Sequence, residues 1–350
     1  MHYNLRLERL QKELNHYECD ALLIENPVDL LYLTGLTLSA GKLIVGRHHR
    51  CLFVDGRYSE YSLSQALYPV CMLENESLVN MLKDGQMQLL GFDAAQISYQ
   101  RFLELEKLLP FCTLKPINDP ILQLRMIKDA DEIILLKKAA HLAYQGYQHV
   151  LSQLRIGVTE IELANALEFF WKERGARKMA FEPIIAFGAN SSKPHYRCSD
   201  TPLKMNDHVL IDIGVMLSDY CSDMTRVHFF GTPPKEIATI YPLVEEAKNR
   251  ALAACRPGML IGELDTIARS YLTANGYANE FCHSLGHGLG LEVHEPPSIR
   301  EHNKFHNLKL AAGMVITIEP GLYLPKIGGV RLEDTILITT DGYENLTKYE

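Results

Sequence analysis

The sequence predicts an α+β protein of two domains, a small α/β domain over residues 1–120 and a larger α+β domain over 121–350. Three features predict it. Short β-type runs alternate with helical ones through the first third of the chain, as in a small α/β unit. The alternation stops at TLKPINDP (113–120), where prolines at 116 and 120 mark a boundary. Beyond it, long amphipathic helices are gathered with two hairpin-like pairs of strands.

Taken in order, the opening segment MHYNLRLERLQKELNHYECD has the spacing of an amphipathic helix and lacks the apolar stretch of a signal peptide. ALLIEN (21–26), KLIVG (42–46) and RCLFVDG (50–56) predict strands, and 61–67, 75–83 and 99–109 predict helices. After the boundary, Asp129 or Asp131 caps a long helix whose body is ILLKKAAHLAYQGYQHVLSQL. Thr159 and Glu162 form a capping box, each side chain satisfying the other's backbone N–H. Ile161, Ala164, Leu167, Phe170 and Trp171 supply that helix's apolar face, and Gly175 closes it. Two more helices are expected near 235–255 and 262–275, the first restarted or kinked at Pro242. HVLIDIG (208–214) pairs with SDMTRVHFFG (222–231), and MVITIEPGLYL (314–324) with GVRLEDTILIT (329–339). The two hairpins are objects of one kind, which hints at a pseudo-symmetric core.

Composition excludes several functions. With 47% hydrophobic and 22% charged residues the chain is ordinary for a soluble protein. No apolar run nears the ~20 residues of a membrane span. A net charge of −8, with no basic run longer than RHHR at 47–50, argues against nucleic acid as a partner. The eight cysteines lack CxxC spacing, so neither a disulfide framework nor a thiolate zinc site is expected, and a cytoplasmic location is the default.

The acids inside the strands demand an explanation. In HVLIDIG, Val209, Ile211 and Ile213 share one face, which leaves Asp212 on the other with Leu210 and Gly214. A carboxylate buried there costs several kcal/mol unless it is paired or holds a metal. Asp223 follows eleven residues later, Glu319 ends MVITIE, and Glu333 shares a strand face with Arg331. Taken singly, each is an ordinary strand-end or ion-paired acid. Together with a histidine they carry four negative charges, which two divalent cations would neutralise. Oxygen donors with one imidazole suit Mn²⁺, Co²⁺ or Zn²⁺, the hard carboxylates favouring manganese. Two such ions share a water, lower its pKa and steady a developing oxyanion.

HSLGHGLGLEVHE (283–295) sets three histidines at spacings of four and seven among Gly286, Gly288 and Gly290. A helix is disfavoured, since each glycine costs about 1 kcal/mol there. His287 and His294 are an odd number apart, so a regular strand would send them to opposite faces. A bulge or turn near Gly288–Gly290 is needed to bring them together.

The order IDIG, SDMTR, HSLGHGLGLEVHE, TIEPG, GGVRLED resembles the pita-bread metallopeptidases, and among them Xaa-Pro dipeptidase (prolidase) and Xaa-Pro aminopeptidase (aminopeptidase P). The resemblance implies a C-terminal pita-bread catalytic domain behind a small creatinase-type N-terminal domain. It implies that Asp212 holds one metal ion, His287 and Glu319 the other, and that Asp223 and Glu333 bridge them. Glu319 would accept the proton of the attacking metal-bridging hydroxide's parent water. His195, in SSKPHYR, would lie near the scissile peptide and His294 would bond substrate or tetrahedral intermediate. His283 would line a proline pocket, and Arg331 would orient the acids around Asp212 on the substrate side. Dipeptidases of this type place an arginine after the HE pair to grip a free carboxylate. Here Arg300 is available, but in a shifted register. The implied substrate is a peptide with proline second, and the implied assembly, by analogy, a homodimer. Methionine aminopeptidases share the metal motifs and form the nearest enzymatic rival. A metal-free relative acting as a peptide-binding module is the other alternative.

Overall fold

The computed structural model describes residues 2–349. The chain divides into two compact units between Arg125 and Met126. The first unit runs α1 (Tyr3–Glu13), β1 (Ala21–Ile24), α2 (Pro27–Thr34), β2 (Lys42–Gly46), β3 (Arg50–Val54), α3 (Ser59–Gln65), β4 (Val70–Met72), α4 (Asn75–Asp84), β5 (Leu89–Asp93), α5 (Tyr99–Leu108) and β6 (Thr113–Ile117). The strands form one sheet in the order β4-β3-β2-β1-β5-β6. β1, β5 and β6 are parallel, whereas β2 is antiparallel to both β1 and β3.

Two features depart from the sequence expectation. TLKPINDP does not merely break the pattern: its first five residues are the edge strand β6. Proline is tolerated there because an edge strand needs no donor on its outer side. Helix α2 was not expected, although Asn26 caps it by accepting from the Val28 and Asp29 amides and Pro27 stands in its first turn. Both are sequence-level start signals.

Short α6 (Leu122–Met126) leads into the second unit, which opens with α7 (Ala130–Gln153) and α8 (Glu160–Lys172). Asp129 and Glu132 form a full capping box on α7, and Thr159 and Glu162 another on α8. The strands β7 (Lys178–Met179), β8 (Ile184–Phe187), β9 (His208–Ile213), β10 (Val215–Leu217), β11 (Tyr220–Cys221) and β12 (Met224–Phe229) follow. Then come α9 (Lys235–Ala254) and α10 (Ile261–Ala274). α9 continues through Pro242, so no new helix starts there. The chain ends with β13 (Gly286–Gly288), β14 (Glu295–Ile299), β15 (Val315–Ile318), β16 (Gly321–Leu324), β17 (Gly328–Arg331), β18 (Asp334–Ile338) and β19 (Tyr343–Asn345).

Both expected hairpins form. β9 pairs antiparallel with β12, setting Asp212 opposite Thr225, and β15 pairs with β18 while β16 pairs with β17. The alternation along β9 divides the core. Val209, Ile211 and Ile213 pack with Leu142, Leu167 and Trp171 of α7 and α8. Leu210 packs on the other side with Ile237, Ile240 and Leu264 of α9 and α10. Asp212 therefore emerges from a strand whose apolar neighbours fix its direction. Trp171 is buried, donates its indole N–H to the Leu142 carbonyl at 3.0 Å, and lies where a side chain on Gly146 would have to be. All eight cysteines are free. Among the described residues no helix is long and apolar enough to cross a membrane.

Candidate metal centre and substrate cavity

Asp212, Asp223, His287, Glu319 and Glu333 all line one cavity of about 640 Å³ in the second unit, with His195, His283, His294 and Arg331. Each side chain arrives from a different element. Asp212 comes from β9, Asp223 from the link into β12, His287 from β13, Glu319 from the end of β15, and Glu333 from the link between β17 and β18. The β strands converge there because their apolar faces are committed to the two cores, which leaves the acids the remaining direction.

Asp223, His287 and Glu333 offer ligand atoms within 4.8 Å of one another. His287 Nε2 lies 3.4 Å from Glu319 Oε1 and 3.6 Å from Asp223 Oδ2. Its Nδ1–H donates to the Gly288 carbonyl at 3.0 Å, so Nε2 presents a lone pair to the carboxylates. Burial, and then the neighbouring His294, hold this imidazole neutral by pulling its pKa down to about 4. A lone pair facing two carboxylate oxygens is repulsive unless a cation stands between them. Asp212 Oδ1 and Glu333 Oε1 are buried and have no protein hydrogen-bond partner. Unpaired buried anionic oxygens cost several kcal/mol. The donor set, the aimed imidazole and the two orphaned oxygens fit a divalent metal centre.

The other oxygens are held in place. Thr225 donates to Glu333 Oε2 at 2.8 Å, and Thr317 donates to Glu319 Oε1 at 3.3 Å. Arg331 is 4% exposed, and its guanidinium donates to Asp212 Oδ2, to the Tyr323 hydroxyl at 2.6 Å, to Thr225 Oγ1 and to the Pro194 carbonyl. Tyr323 in turn donates to His283 Nε2 at 2.8 Å, since His283 Nδ1–H is committed to the Ser284 carbonyl. A continuous chain of bonds thus joins His283 to Asp212.

His287 and His294 meet with ring centroids 4.4 Å apart, edge to face. β13 ends at Gly288 and the chain bends through residues 290–294, with the Gly290 N–H donating to the Glu292 carbonyl, before β14 begins at Glu295, which is the break the odd spacing demands. A Cβ on Gly286 or Gly288 would run into the backbone of Thr317 or Pro296. The glycines are there so that strands can close over the histidines. His195 and His294 are exposed to the cavity, and His283 is partly buried. Arg300 is exposed, and it is not among the cavity-lining residues.

Sequence reasoning passed over Tyr323, Thr225 and Thr317. The threonines had a signal: each stands two residues from an acid, Asp223 or Glu319, hence on the same strand face. Tyr323 had none. Arg197, Glu182, Phe181 and Phe305, which also line the cavity, were likewise not singled out.

The acids raise one another's pKa. Burial, then Glu333 and Asp212, lift Asp223; burial and Glu333 lift Glu319; burial and Asp212 push Glu333 up to about 8. Protein stripped of cations therefore keeps Glu333 protonated where the unfolded chain, near its usual value of ~4, has released the proton. In that range the folded state binds more protons, so stability falls as pH rises. The neutral histidines, His283, His287, His208 and His294 among them, act with the opposite sign, an effect that fades as pH rises through their ordinary value of ~6.5. From about pH 7 to 8 the unfolded chain has released most of its histidine protons and the acids dominate. The Tm of chelator-treated protein should decline across that interval, and added Mn²⁺ should raise Tm more at pH 8 than at pH 7. A flat or rising profile for the stripped protein would contradict this assignment.

Comparison with known proteins agrees with the geometry. Residues 134–340 match the model of metallopeptidase family M24, and residues 6–127 match the creatinase/prolidase N-terminal domain. An Xaa-Pro dipeptidase from Pyrococcus furiosus is 38% identical over 347 residues, spanning 99% of this chain and 98% of the relative. The solved Xaa-Pro dipeptidase from Bacillus anthracis superposes with a TM-score of 0.95 at 34% identity, over 99% of this chain and 98% of that one. The X-Pro aminopeptidase from Thermotoga maritima gives 0.89 at 31% identity, over 97% and 98%. The expected fold, a pita-bread domain preceded by a creatinase-type domain, is met. Buried acids aimed at one imidazole, and relatives that match from end to end, lead to a single placement: the chain belongs to metallopeptidase family M24.

Proposed function

We propose that the protein is an exopeptidase that hydrolyses the bond between an N-terminal residue and a following proline. The carrying observation is the convergence of four acids with a neutral, outward-aimed imidazole on a cavity that also holds three further histidines. The relatives named as Xaa-Pro dipeptidases and X-Pro aminopeptidase support the substrate class. An Xaa-Pro bond is a tertiary amide without an N–H, so a dedicated pocket suits it.

Asp212, Asp223, His287, Glu319 and Glu333 would hold two divalent cations, with manganese favoured by the hard oxygen donors and cobalt or zinc also compatible with the set. Such a pair, when bound, activates water and stabilises developing negative charge. Glu319 takes the proton released by the attacking water and passes it towards the leaving proline nitrogen. His294, exposed beside His287, donates to the oxygen of the attacked carbonyl, and His195 faces the scissile peptide from the opposite loop. His283, fixed by Tyr323, lines the same cavity as Phe181 and Phe305 and would face the proline ring. Arg331 keeps Asp212 in its ligating orientation. We also take the working assembly to be a homodimer in the cytoplasm, by analogy with the family.

A manganese-loaded assay comparing Xaa-Pro, Xaa-Pro-Xaa and Met-Ala-Xaa peptides tests the reading. Cleavage of the proline substrates at rates at least tenfold above the Met-Ala peptide is expected. Preference for Met-Ala-Xaa would replace it with a methionine aminopeptidase, and no cleavage of any would leave a binding module.

A further inference from the structure

We propose that Cys51 and Cys71 form a reversible disulfide when the protein meets a peroxide, and that the bond pins edge strand β4 to β3. The inference is independent of the peptidase reading and concerns the first unit alone. The two thiols lie twenty residues apart, a spacing that matches no cysteine motif; the sheet register joins them. β3 and β4 run parallel with Phe53 opposite Cys71. Cys51, two residues before Phe53, therefore shares a face with Cys71 as its diagonal neighbour. Its thiol points at Cys71, with the sulfurs 3.1 Å apart. The thiols of Cys112, Cys198, Cys221 and Cys255 donate to backbone carbonyls instead.

Closing that gap to a bond of about 2.05 Å asks for roughly 1 Å of movement. Diagonal neighbours set their Cα atoms about 7–8 Å apart, just outside the ~4.4–6.8 Å a disulfide usually spans, so the strands must also draw together. β4 can supply that shift, being three residues long and at the end of the sheet, bonded to β3 on one side only. Cys71 is partly exposed on this edge, whereas Cys51 is 4% exposed in a core with Ile44, Phe53 and Leu90. The asymmetry sets the order of events. Cys71 meets the peroxide first: its thiolate sulfur bonds one oxygen, the O–O bond breaks, and the departing hydroxide takes up a proton and leaves as water. Burial and the neighbouring thiol push the Cys51 pKa up, so this sulfur stays protonated and shielded from the oxidant. It then attacks the Cys71 sulfenic sulfur; the S–S bond forms, the S–O bond breaks, and the Cys51 proton leaves with the hydroxide as a second water. Two thiols and one peroxide thus give one disulfide and two waters, the two electrons lost by sulfur reducing the peroxide. The bond closes a loop that carries α3 and fastens an exposed sheet edge, and excess small thiol reverses it by exchange.

The test treats reduced, full-length protein with hydrogen peroxide, caps the remaining thiols with iodoacetamide and examines the digest by mass spectrometry. A peptide pair joined through Cys51 and Cys71, lighter by two hydrogens and separated by dithiothreitol, is expected. Added protease should cut the cross-linked protein between α3 and β4 at least about threefold more slowly than the reduced form. Cys51→Ala should strand Cys71 as a sulfenic acid that dimedone traps, at a yield at least about tenfold above that of the wild type, where the partner thiol consumes it. Cys71→Ser should leave Cys51 reduced. Cys71 carrying two or three oxygens beside a free Cys51 thiol would overturn the proposal, as would two thiols still reduced at a dose that oxidises the exposed Cys282. A bond from either thiol to any other cysteine, or proteolysis unchanged by the cross-link, would overturn it equally.

Discussion

Replacing Glu319 with glutamine is expected to lower kcat on an Xaa-Pro peptide by at least about a thousandfold while the protein remains folded. Glutamine keeps the shape and accepts the Thr317 bond, but it cannot take a proton and is a poor partner for a cation. Glu319 is the acid whose oxygen comes within 3.4 Å of His287 Nε2, so water activated at this centre has it within reach. Burial and the charge of Glu333 already raise its pKa, which means the fold accepts a neutral group here more readily than an anion. In stripped protein the substitution should therefore leave Tm unchanged or raise it. Steady-state kinetics beside a melting curve separates the two effects. A variant that keeps more than a tenth of the wild-type kcat would remove Glu319 from the proton-transfer role.

The site was more legible in the sequence than the fold around it. Asp212 stood out because a charge on the inward face of Val-Leu-Ile-Asp-Ile has few physical excuses. The odd spacing of His287 and His294 required an irregularity at the intervening glycines, and the chain does leave the strand at Gly288 and bend from Gly290. The capping box at Thr159 was readable, and Asp129 was one of two candidate caps, because such signals are local: a few residues and two hydrogen bonds decide them. What escaped was non-local or outweighed. Thr113–Ile117 forms a strand because β5 offers it a partner, a fact that no pattern within the segment contains. Tyr323 bonds His283 across forty residues, and Arg331 reaches Asp212 across more than a hundred.

Asp223→Asn should be as damaging as the loss of Glu319, by a different route. Asp223 is 5% exposed, faces His287, and has its pKa raised by burial and by Glu333, Asp212 and Glu319. Those three anions are tolerable together only when cations lie among them. Removing the charge relieves the stripped protein, so its Tm at pH 8 should rise. The same change removes the acid that would bridge both cations, so activity should fall by about a thousandfold or more and metal affinity with it. A merely structural aspartate predicts the reverse, with lower stability and unaltered metal binding. The measurement that decides is a calorimetric titration of Mn²⁺ into chelator-stripped wild-type protein and into Asp223→Asn, counting ions bound per chain. Two ions per wild-type chain, with at most one weakly held in the variant, is the expected result. No saturable binding by the wild type, or identical binding by the two proteins, would contradict a centre built from these acids and His287.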